Sequence, residues 1–339
     1  MQRLRFYISE STNPYRNLAA EELLLRRASD DEVILYLWQN ADTVVIGRNQ
    51  NPWRECHLNA MQEAGTKLAR RLSGGGAVYH DLGNQNFTFI TTDRNYDLNA
   101  QYEVILLALR GLGIQAERSG RNDVLVDGRK VSGSAFHRSG GNCYHHGTLL
   151  VNTDFSEMRR YLNPSPQKLA GKGVSSVVSR VGNLVDICPN LTTLAVSGAL
   201  LAAFSEVYHC PLVEIMPAEL PAREWDAKTR MYASDLWRLQ TRVPYTAHFM
   251  GKLSFGEVEV QLALEAGLIQ VAQVYSDALD ADWIETVGRA LQGCPFQTDA
   301  VTRVIFAVSG GQTPAAREMA AFITAEMQVF DASQGNVFR

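Results

Sequence analysis

Apolar residues recur along the chain with two different spacings, which predict helices and strands. Residues 17–27 (NLAAEELLLRR) combine a potential capping Asn17 with strong helix formers, early acids and late arginines, so we predict a helix that begins at this residue. Apolar side chains three or four residues apart predict a second helix over residues 98–112. Thr313-Pro314 is typical of a helix start and predicts a further helix through Met327.

Short runs rich in β-branched and aromatic residues predict strands, and the turns between them predict hairpins. Residues 33–38 and 43–46 flank the sequence QNAD and are predicted to pair as a hairpin. Residues 124–126 and 129–131 flank Asp127-Gly128, a pair suited to a two-residue type I′ turn. Helices and strands thus mix without a regular βαβ order. We therefore predict an α+β (mixed α/β) fold with a partly antiparallel sheet.

The pattern changes in the last third of the chain. Residues 217–244 contain three prolines, two tryptophans and mixed charges, which predicts a connector with a helix near 233–239. Alternating apolar residues over 253–264 and 268–274 then predict a hairpin, and helical spacing follows. We predict a large N-terminal domain at 1–241, a hinge or linker at 242–251 and a small α+β C-terminal domain at 252–339.

The composition is that of a globular protein, with 46% hydrophobic and 20% charged residues among 339. A net charge of −4 provides no basic field, so we expect neither a nucleic acid nor a membrane as partner. No apolar segment of signal-peptide or membrane-spanning length is found. The cysteines are odd in number and form no CxxC pair, so we expect reduced thiols and a cytoplasmic protein; they are Cys56, Cys143, Cys188, Cys210 and Cys294.

A run of three glycines, Gly74 to Gly76, follows Ser73 and two arginines. Glycine lets backbone N–H groups approach a ligand closely, and an arginine can grip phosphate or carboxylate oxygens, which indicates an anion site. An ordinary turn with solvated arginines is an equally good interpretation of these residues alone. The two familiar phosphate-loop motifs are excluded, because no GxxxxGK[ST] occurs and Tyr79 occupies the last glycine position of GxGxxG.

A lysine and a pair of histidines are further candidates. Lys130 follows the Asp-Gly turn and could neutralise charge that develops in a transition state, or it could be an exposed hairpin lysine. His145 and His146 are adjacent on a predicted strand, so their side chains point to opposite faces and do not suit one metal ion. We expect one ring to be buried and the other to face solvent or a cleft. The segment containing Lys168 and Arg180 is either a loop that closes on a ligand or an ordinary solvated loop.

These stretches belong to an ordered set of motifs. The set comprises LWQNADTVVIGRNQNPW (37–53), RLSGGGAVYHDLGN (71–84), GRND (120–123), GRKVSGSA (128–135), HHGTLL (145–150) and the segment from Lys168 to Arg180. In this order they strongly resemble the lipoate–protein ligase A family, from the N-terminus to about residue 185 and more weakly to the end. Each motif is moderately specific, whereas the ordered set is highly specific.

The resemblance implies a biotin/lipoyl-ligase-type catalytic domain, related in shape to class II aminoacyl-tRNA synthetases, with a small C-terminal domain. It implies that lipoate and ATP give lipoyl-AMP and pyrophosphate, and that a lysine ε-amine of an apo lipoyl domain then releases AMP. The implied acceptors are lipoyl domains of 2-oxo acid dehydrogenase complexes and the glycine cleavage H protein. Mg²⁺ is the implied activator, without a tightly bound prosthetic group. We expect a monomer whose C-terminal domain moves between the two steps.

The same resemblance implies roles for individual residues. Lys130 is the implied catalytic residue, between the lipoyl carbonyl and the α-phosphate. The implied ATP-binding residues are Arg71, Gly76, Ala77, Val78, Tyr79, Asn122, Asp123 and Lys130. The implied lipoate-binding residues are Ser73, Gly74, Gly75, Lys130, His146 and Gly147. Asp123 is the implied ligand of Mg²⁺, and an apolar tunnel would hold the dithiolane tail.

Two alternatives stay open. Octanoyltransferases share the fold implied here but use a cysteine nucleophile and no ATP. In this chain the region after the His-Gly strand reads NPSPQKLAGKG, without cysteine, and Cys143 precedes the histidine pair, where we interpret it as a bystander. The second alternative is a catalytically silent regulator that binds lipoate or nucleotide, because binding and catalysis use overlapping residues. The presence of Lys130 favours the enzyme.

Overall fold

The structure, a computed structural model, describes residues 3–120, 122–163, 181–240 and 244–333. These residues divide into two compact units. The first unit is built from Met1–Ile46, Pro52–Arg71 and Ala77–Arg238, and the second from Gly47–Asn51, Leu72–Gly76 and Leu239–Arg339. Two short segments of the N-terminal half, one of which contains the glycine run, thus belong to the second unit. The boundaries at 1–241, 242–251 and 252–339 stay a prediction.

Two sheets form the framework of the first unit within the described residues. The strands are β1 (Arg3–Ile8), β2 (Glu32–Trp38), β3 (Thr43–Ile46), β4 (Lys67–Arg70), β5 (Val78–His80), β6 (Asn84–Thr92), β7 (Glu117–Ser119), β8 (Asp123–Val126), β9 (Arg129–Ser139), β10 (Asn142–Leu150) and β11 (Leu212–Glu214). The large sheet has the order β11-β1-β2-β6-β10-β9-β8-β7, and the small sheet has the order β4-β3-β5. Strand β1 is parallel to β11 and β2, whereas the other pairs of the large sheet are antiparallel.

Helices cover both faces of the large sheet. The α-helices found among the described residues of the first unit are α1 (Pro14–Arg27), α2 (Pro52–Glu55), α3 (Leu58–Ala64), α4 (Leu98–Gly111), α5 (Phe155–Tyr161), α6 (Thr193–Tyr208), α7 (Ala222–Ala233) and α8 (Asp235–Arg238). Helices α4 and α6 bury apolar side chains against Leu35, Phe87 and Phe89 on one face. Helix α1 contacts β6 and β10 on the other face and packs against α7. Because both faces are covered, every residue of β2 and β6 is buried.

The second unit contains a three-stranded antiparallel sheet and three helices among its described residues. The strands are β12 (Ala247–Leu253), β13 (Gly256–Glu265) and β14 (Leu268–Ser276), and the helices are α9 (Ala281–Leu291), α10 (Thr298–Val308) and α11 (Pro314–Ser333). A separate apolar core includes Phe249, Val260, Ile284 and Ile323. This unit confirms the predicted hairpin over residues 253–274 and the predicted start of the last helix.

Three predictions from local pattern were wrong. Strands β2 and β3 do not pair as a hairpin, because β2 lies between β1 and β6 in the large sheet and β3 pairs with β4 and β5. Helix α1 begins earlier than predicted, with Asn13 as its cap, and Asn17 is buried inside the helix. The predicted connector contains the 12-residue helix α7, which was not predicted and packs against α1, whereas the helix predicted near 233–239 is present as α8. In each case the structure depends on a contact with a part of the chain that is distant in sequence, and local composition does not reveal such a contact.

The hairpin that carries Lys130 was predicted correctly. Asp127 has φ 49° and Gly128 has φ 73°, as a type I′ turn requires at both central residues. The helix predicted over residues 98–112 is also present, as Leu98–Gly111. The segment from Lys168 to Arg180 lies outside the described residues, as do residues 242–243 of the predicted hinge. Among the described helices, none combines the length and the apolar character that crossing a membrane requires.

Two glycine substitutions should change stability in opposite directions. In Gly128→Ala a Cβ would occupy a residue with φ 73°, so the free energy of unfolding should fall by about 1 kcal/mol. Gly198 lies on the exposed side of α6, where a Cβ would meet no atom within 4 Å, so Gly198→Ala should raise it by about 0.5–1 kcal/mol. Urea unfolding measures both values, and a loss of stability in Gly198→Ala would contradict the account of α6.

Candidate active site

The hairpin of β8 and β9 presents Lys130 beside an acidic partner. The Lys130 Nζ lies 2.7 Å from Asp123 Oδ1, and both side chains are about one third exposed, at 36% and 35%. The pairing of the two strands shifts register between Val124 and Leu125. Gly133 leaves the room for the ammonium group, because a Cβ there would lie 2.8 Å from Nζ. The lysine is thus held in place while its head group stays accessible to solvent.

Asn122 and the chain after residue 180 border the same hairpin. The Asn122 side-chain amide donates a hydrogen bond to the Ser134 carbonyl oxygen at 2.9 Å, and Ser134 N donates to the Asn122 carbonyl oxygen at 2.8 Å. Gly182 N donates to the Lys130 carbonyl oxygen at 3.0 Å. The structure therefore brings together Lys130, Asn122 and Asp123, three residues that the sequence predicted for one site.

A buried polar chain lies between α1 and the large sheet. Trp38 Nε1 donates to Thr88 Oγ1 at 3.0 Å, and Thr88 Oγ1 donates to Glu21 Oε1 at 2.7 Å. The same Glu21 oxygen lies 2.8 Å from His146 Nδ1. A carboxylate oxygen can only accept, so Nδ1 carries the hydrogen and the His146 ring is fixed in one orientation. The centroid of the Tyr144 ring lies 4.7 Å from that of the His146 ring.

Arg71 lies next to this polar chain. Its side chain is buried, and NH1 donates to the Val45 carbonyl oxygen at 3.1 Å. Burial lowers the Arg71 pKa to about 10, and the nearby Tyr144 and Glu21 oppose this effect. Arg70 is buried as well, and it donates to the backbone carbonyls of Trp237 and Arg238 at 3.0 and 2.8 Å. The interpretation of these arginines as solvated turn residues is therefore wrong.

The adjacent histidines point to opposite faces, as predicted, but neither is exposed to solvent. His145 is surrounded by the rings of Phe87, Phe89, Tyr102 and Phe136, and its Nδ1 lies 3.1 Å from Gln101 Oε1. Burial lowers the His145 pKa to about 3, with smaller effects from His146 and Arg118. Burial likewise lowers the pKa of His80 to about 3, with Arg71 and His146 adding to the effect. The rings of His145 and His80 are therefore neutral at pH 7.

Two of the three glycines have a packing reason in the second unit. A Cβ on Gly74 would overlap with the carbonyl oxygen of Ala278 and would lie 2.7 Å from that of Leu279. Gly75 has φ 88°, and its N–H donates to the Ala278 carbonyl oxygen at 3.1 Å. Ser73 is fully buried. The second unit therefore requires glycine at positions 74 and 75 for its own packing and backbone conformation. The sequence pattern could not separate this reason from contact with a ligand.

The next four residues differ from these two glycines. Gly76 is exposed, and a Cβ there would meet no atom within 4 Å, so packing gives no reason for this glycine. Ala77 and Val78 are half-buried, whereas Tyr79 is buried and its hydroxyl donates to Asp42 Oδ1 at 3.3 Å. Burial raises the pKa of Tyr79. The Tyr79 side chain therefore has a structural partner, and Tyr79 lies opposite Val44 in the pairing of β5 with β3.

Gly147 and Asp123 were predicted for lipoate and metal. A Cβ on Gly147 would lie 2.8 Å from the Gly133 carbonyl oxygen and would overlap with the Phe87 ring, so close strand packing requires this glycine. Within the described residues no group of three or more His, Cys, Asp or Glu side chains is placed to hold a metal ion. A single carboxylate at Asp123 still fits Mg²⁺ that arrives with a phosphate chain, because this ion keeps water and phosphate ligands.

The polar chain centred on Glu21 was missed by the sequence reasoning. Glu21 stands between apolar residues of α1, and in the structure its side chain is 2% exposed. An acid inside the apolar stripe of a helix is a signal for a buried partner, since an unpaired buried charge is costly. The partners Thr88 and His146 come from distant strands, so the sequence could indicate their existence but not their identity.

Two family models match the chain. The Lipoyl protein ligase A/B catalytic domain matches residues 13–205, and the Bacterial lipoate protein ligase C-terminus matches residues 243–322. The first match covers more than half of the chain.

Solved structures agree with these matches. Plasmodium falciparum LipL1, in complex with lipoate, is 27% identical with a TM-score of 0.83 over 95% of this chain and 99% of its own. A bi-partite lipoate protein ligase from Thermoplasma acidophilum, described with its E2 lipoyl domain, is 28% identical with a TM-score of 0.61 over 73% and 100%. A lipoate-protein ligase A bound with ATP is 26% identical with a TM-score of 0.58 over 70% and 98%. The fold is therefore of the biotin/lipoyl-ligase type.

The neutral state of His145 predicts a pH-dependent loss of stability. A ring with a folded pKa of about 3 and an unfolded pKa of about 6.5 binds its proton only in the unfolded state at intermediate pH, so stability falls as pH falls through this window. At pH 5 this protonation of His145 in the unfolded state lowers the free energy of unfolding by about 2 kcal/mol. The variant His145→Gln should therefore lose less stability between pH 7 and pH 5 than the wild type, measured by urea unfolding. The exposed His57→Gln is the control, and equal losses in His145→Gln and wild type would refute the prediction.

Proposed function

Since the chain belongs to the family of lipoyl protein ligase A/B catalytic domains, we propose that it is an ATP-dependent lipoate–protein ligase. In the first step a lipoate carboxylate oxygen attacks the α-phosphorus of ATP, and pyrophosphate leaves. In the second step the ε-amine of an acceptor lysine attacks the acyl carbon, loses a proton and displaces AMP. The observation that carries the proposal is the accessible ammonium of Lys130, paired with Asp123 and backed by Gly133.

The proposed role of Lys130 follows from the charges that meet in the first step. A carboxylate and a triphosphate repel each other, and negative charge grows on the α-phosphate oxygens as the bond forms. A fixed ammonium group stabilises this charge without having to reorganise. The Asp123 carboxylate holds the Lys130 ammonium in place, and it would help to hold Mg²⁺, which would offset the negative charge of the phosphates. Asn122, the exposed Gly76 and the half-buried Ala77 are further proposed nucleotide contacts.

The proposed lipoate contacts combine two kinds of residue. Lys130 would meet the carboxylate, and Ser73, Gly74 and Gly75 would provide the backbone at the acyl end. His146, fixed by Glu21, would line the acyl site with a defined ring orientation. Arg71 would contribute its positive charge from a buried position, with Val78 and Tyr79 contributing backbone groups. For Gly147 the close packing with Gly133 makes the glycine necessary whether or not lipoate contacts it.

The cysteine-dependent alternative has little support in the structure. Cys143 is fully buried, and burial raises its pKa to about 11, so its thiol is protonated at neutral pH. Cys56 is also buried, with a pKa raised by burial to about 12. A nucleophilic thiolate needs the opposite environment, namely exposure and nearby positive charge.

The proposed acceptors are apo lipoyl domains of 2-oxo acid dehydrogenase complexes and the glycine cleavage H protein. The Thermoplasma acidophilum relative is described with an E2 lipoyl domain, which supports this class of partner. We propose that the enzyme acts as a monomer in the cytoplasm. None of the five cysteines forms a disulfide, which suits a reducing compartment.

The direct test of the proposed function is a mass assay on an apo lipoyl domain. Protein, lipoate, ATP and Mg²⁺ should add one lipoyl group to the acceptor lysine and release one pyrophosphate per group. Omission of ATP should abolish the mass gain. Modification without ATP would favour acyl transfer, and lipoate binding without pyrophosphate release would favour a silent regulator.

Substitution of Lys130 should affect the first step most strongly. Lys130→Ala should reduce the rate of pyrophosphate release by about 100-fold or more, because a preorganised charge is lost from the transition state. Lys130→Arg should recover only part of the rate, since the guanidinium has a different shape. The control is Cys143→Ser, which should retain the wild-type rate. Wild-type turnover in Lys130→Ala would eliminate the role proposed for this lysine.

A further inference from the structure

We infer that Gly47–Asn51, a segment to which the proposed reaction assigns no role, positions the glycine run, and that the Arg48–Glu285 ion pair holds this segment in place. The inference rests on the proposed function, because it assigns Arg48 and Glu285 a positioning role in adenylation. Neither side chain is proposed to touch a substrate. Both residues, like the glycine run, belong to the second unit.

The first observation is that Gly47–Asn51 and the glycine run fit against each other through backbone alone. Arg48 N donates to the Ser73 carbonyl oxygen at 2.9 Å. A Cβ on Gly47 would overlap with the Gly75 carbonyl oxygen and lie 3.2 Å from the carbonyl carbon of Gly74. With so little space between the two backbones, a displacement of one segment displaces the other.

The second observation is that side chains anchor Gly47–Asn51 to the start of α9. Arg48 NH2 donates to Glu285 Oε2 at 2.8 Å, and the two side chains are only 22% and 35% exposed. Asn49 Nδ2 donates to the Ala281 carbonyl oxygen at 2.6 Å, and the Asn49 carbonyl oxygen accepts from Ser276 N at 2.8 Å. Partial burial and two neighbouring hydrogen bonds make this ion pair geometrically better defined than an ordinary surface pair.

A further anchor holds the other end of the segment. Asn51 Nδ2 lies 3.2 Å from a carboxylate oxygen of Glu259, a buried residue of β13 that also accepts from Gln261 Nε2 at 2.7 Å. His248 Nε2 lies 3.1 Å from the same carboxylate. The segment is thus held at Arg48, Asn49 and Asn51, while Gly47 and the Arg48 backbone lie against the glycine run and its neighbour Ser73.

These contacts give the glycine run a defined shape before any substrate binds. Gly75 N donates to the Ala278 carbonyl oxygen on one side, and Ser73 accepts from Arg48 N on the other. Backbone groups that stabilise a transition state must already point at it, and an error near 1 Å can cost about 100-fold in rate. Loss of the Arg48–Glu285 pair should therefore lower the rate of the chemical step more than it lowers substrate binding.

The test compares Glu285→Gln and Arg48→Gln with a matched control. Each variant should lower kcat for lipoate-dependent pyrophosphate release by about tenfold and leave the KM for ATP within about twofold, because alignment rather than binding is lost. Arg48→Lys, which keeps a cation near Glu285, should recover most of kcat. The control is Glu318→Gln, which removes a carboxylate that accepts from Ser254 N at 2.8 Å in the same unit and should keep the wild-type kcat.

A second readout separates this inference from the proposed function. Amide signals of Gly74 and Gly75 in ¹⁵N-glycine-labelled protein should shift in Glu285→Gln and stay in place in Glu318→Gln. If the wild type releases no pyrophosphate, the proposed function fails. The amide shifts then still show whether the Arg48–Glu285 pair positions the glycine run. Unshifted glycine amides, or a wild-type kcat in Glu285→Gln with an active wild-type enzyme, would overturn the inference. Equal losses of kcat in Glu285→Gln and Glu318→Gln would overturn it as well, since that indicates general destabilisation.

Discussion

The position of the Lys130 ammonium group depends on two glycines that stand side by side in the large sheet. The ammonium lies over Gly133 of β9, the carbonyl oxygen of Gly133 lies against Gly147 of β10, and Gly147 lies against the Phe87 ring of β6. A side chain at Gly147 would collide with the Gly133 carbonyl oxygen and the Phe87 ring, and a side chain at Gly133 would displace the end of Lys130. The lysine thus lies on a part of the sheet that packs closely onto the apolar core. The fixed charge proposed at Lys130 depends on this packing and on its partner Asp123.

The two faces of the large sheet differ in polarity around β10. On the face of α4 and α6, even the histidine is neutral, because His145 lies among four aromatic rings. On the face of α1, a chain of polar groups leads from Trp38 through Thr88 and Glu21 to His146, with Arg71 nearby. Alternation of side chains along β10 places these two environments one residue apart. The acid and the arginine limit the cost of burying each other's charge.

The sequence predicted features that depend on local chemistry and missed features that depend on tertiary neighbours. The Asp127-Gly128 turn was predictable, because few residue pairs adopt its backbone angles. The QNAD turn was misleading, because a polar turn does not reveal that β2 and β3 join different sheets. The lipoate contact at Gly74 stays a prediction, and the structure adds a second reason for this glycine, because its missing side chain makes room for the Ala278 carbonyl oxygen. Such packing could not be predicted, since a glycine is the same in sequence whether a ligand or another part of the chain lies against it.

The carboxylate oxygens of lipoate reveal whether an acyl-adenylate forms. Lipoate labelled with ¹⁸O in both carboxylate positions would be supplied with ATP, Mg²⁺ and an apo lipoyl domain, and the released AMP would be analysed by mass spectrometry. If an acyl-adenylate forms, the oxygen that attacked the α-phosphorus stays on AMP when the amine displaces it. The account predicts one ¹⁸O atom in each AMP molecule formed with the lipoyl product. Lipoylated acceptor accompanied by unlabelled AMP, or by no AMP, would contradict it.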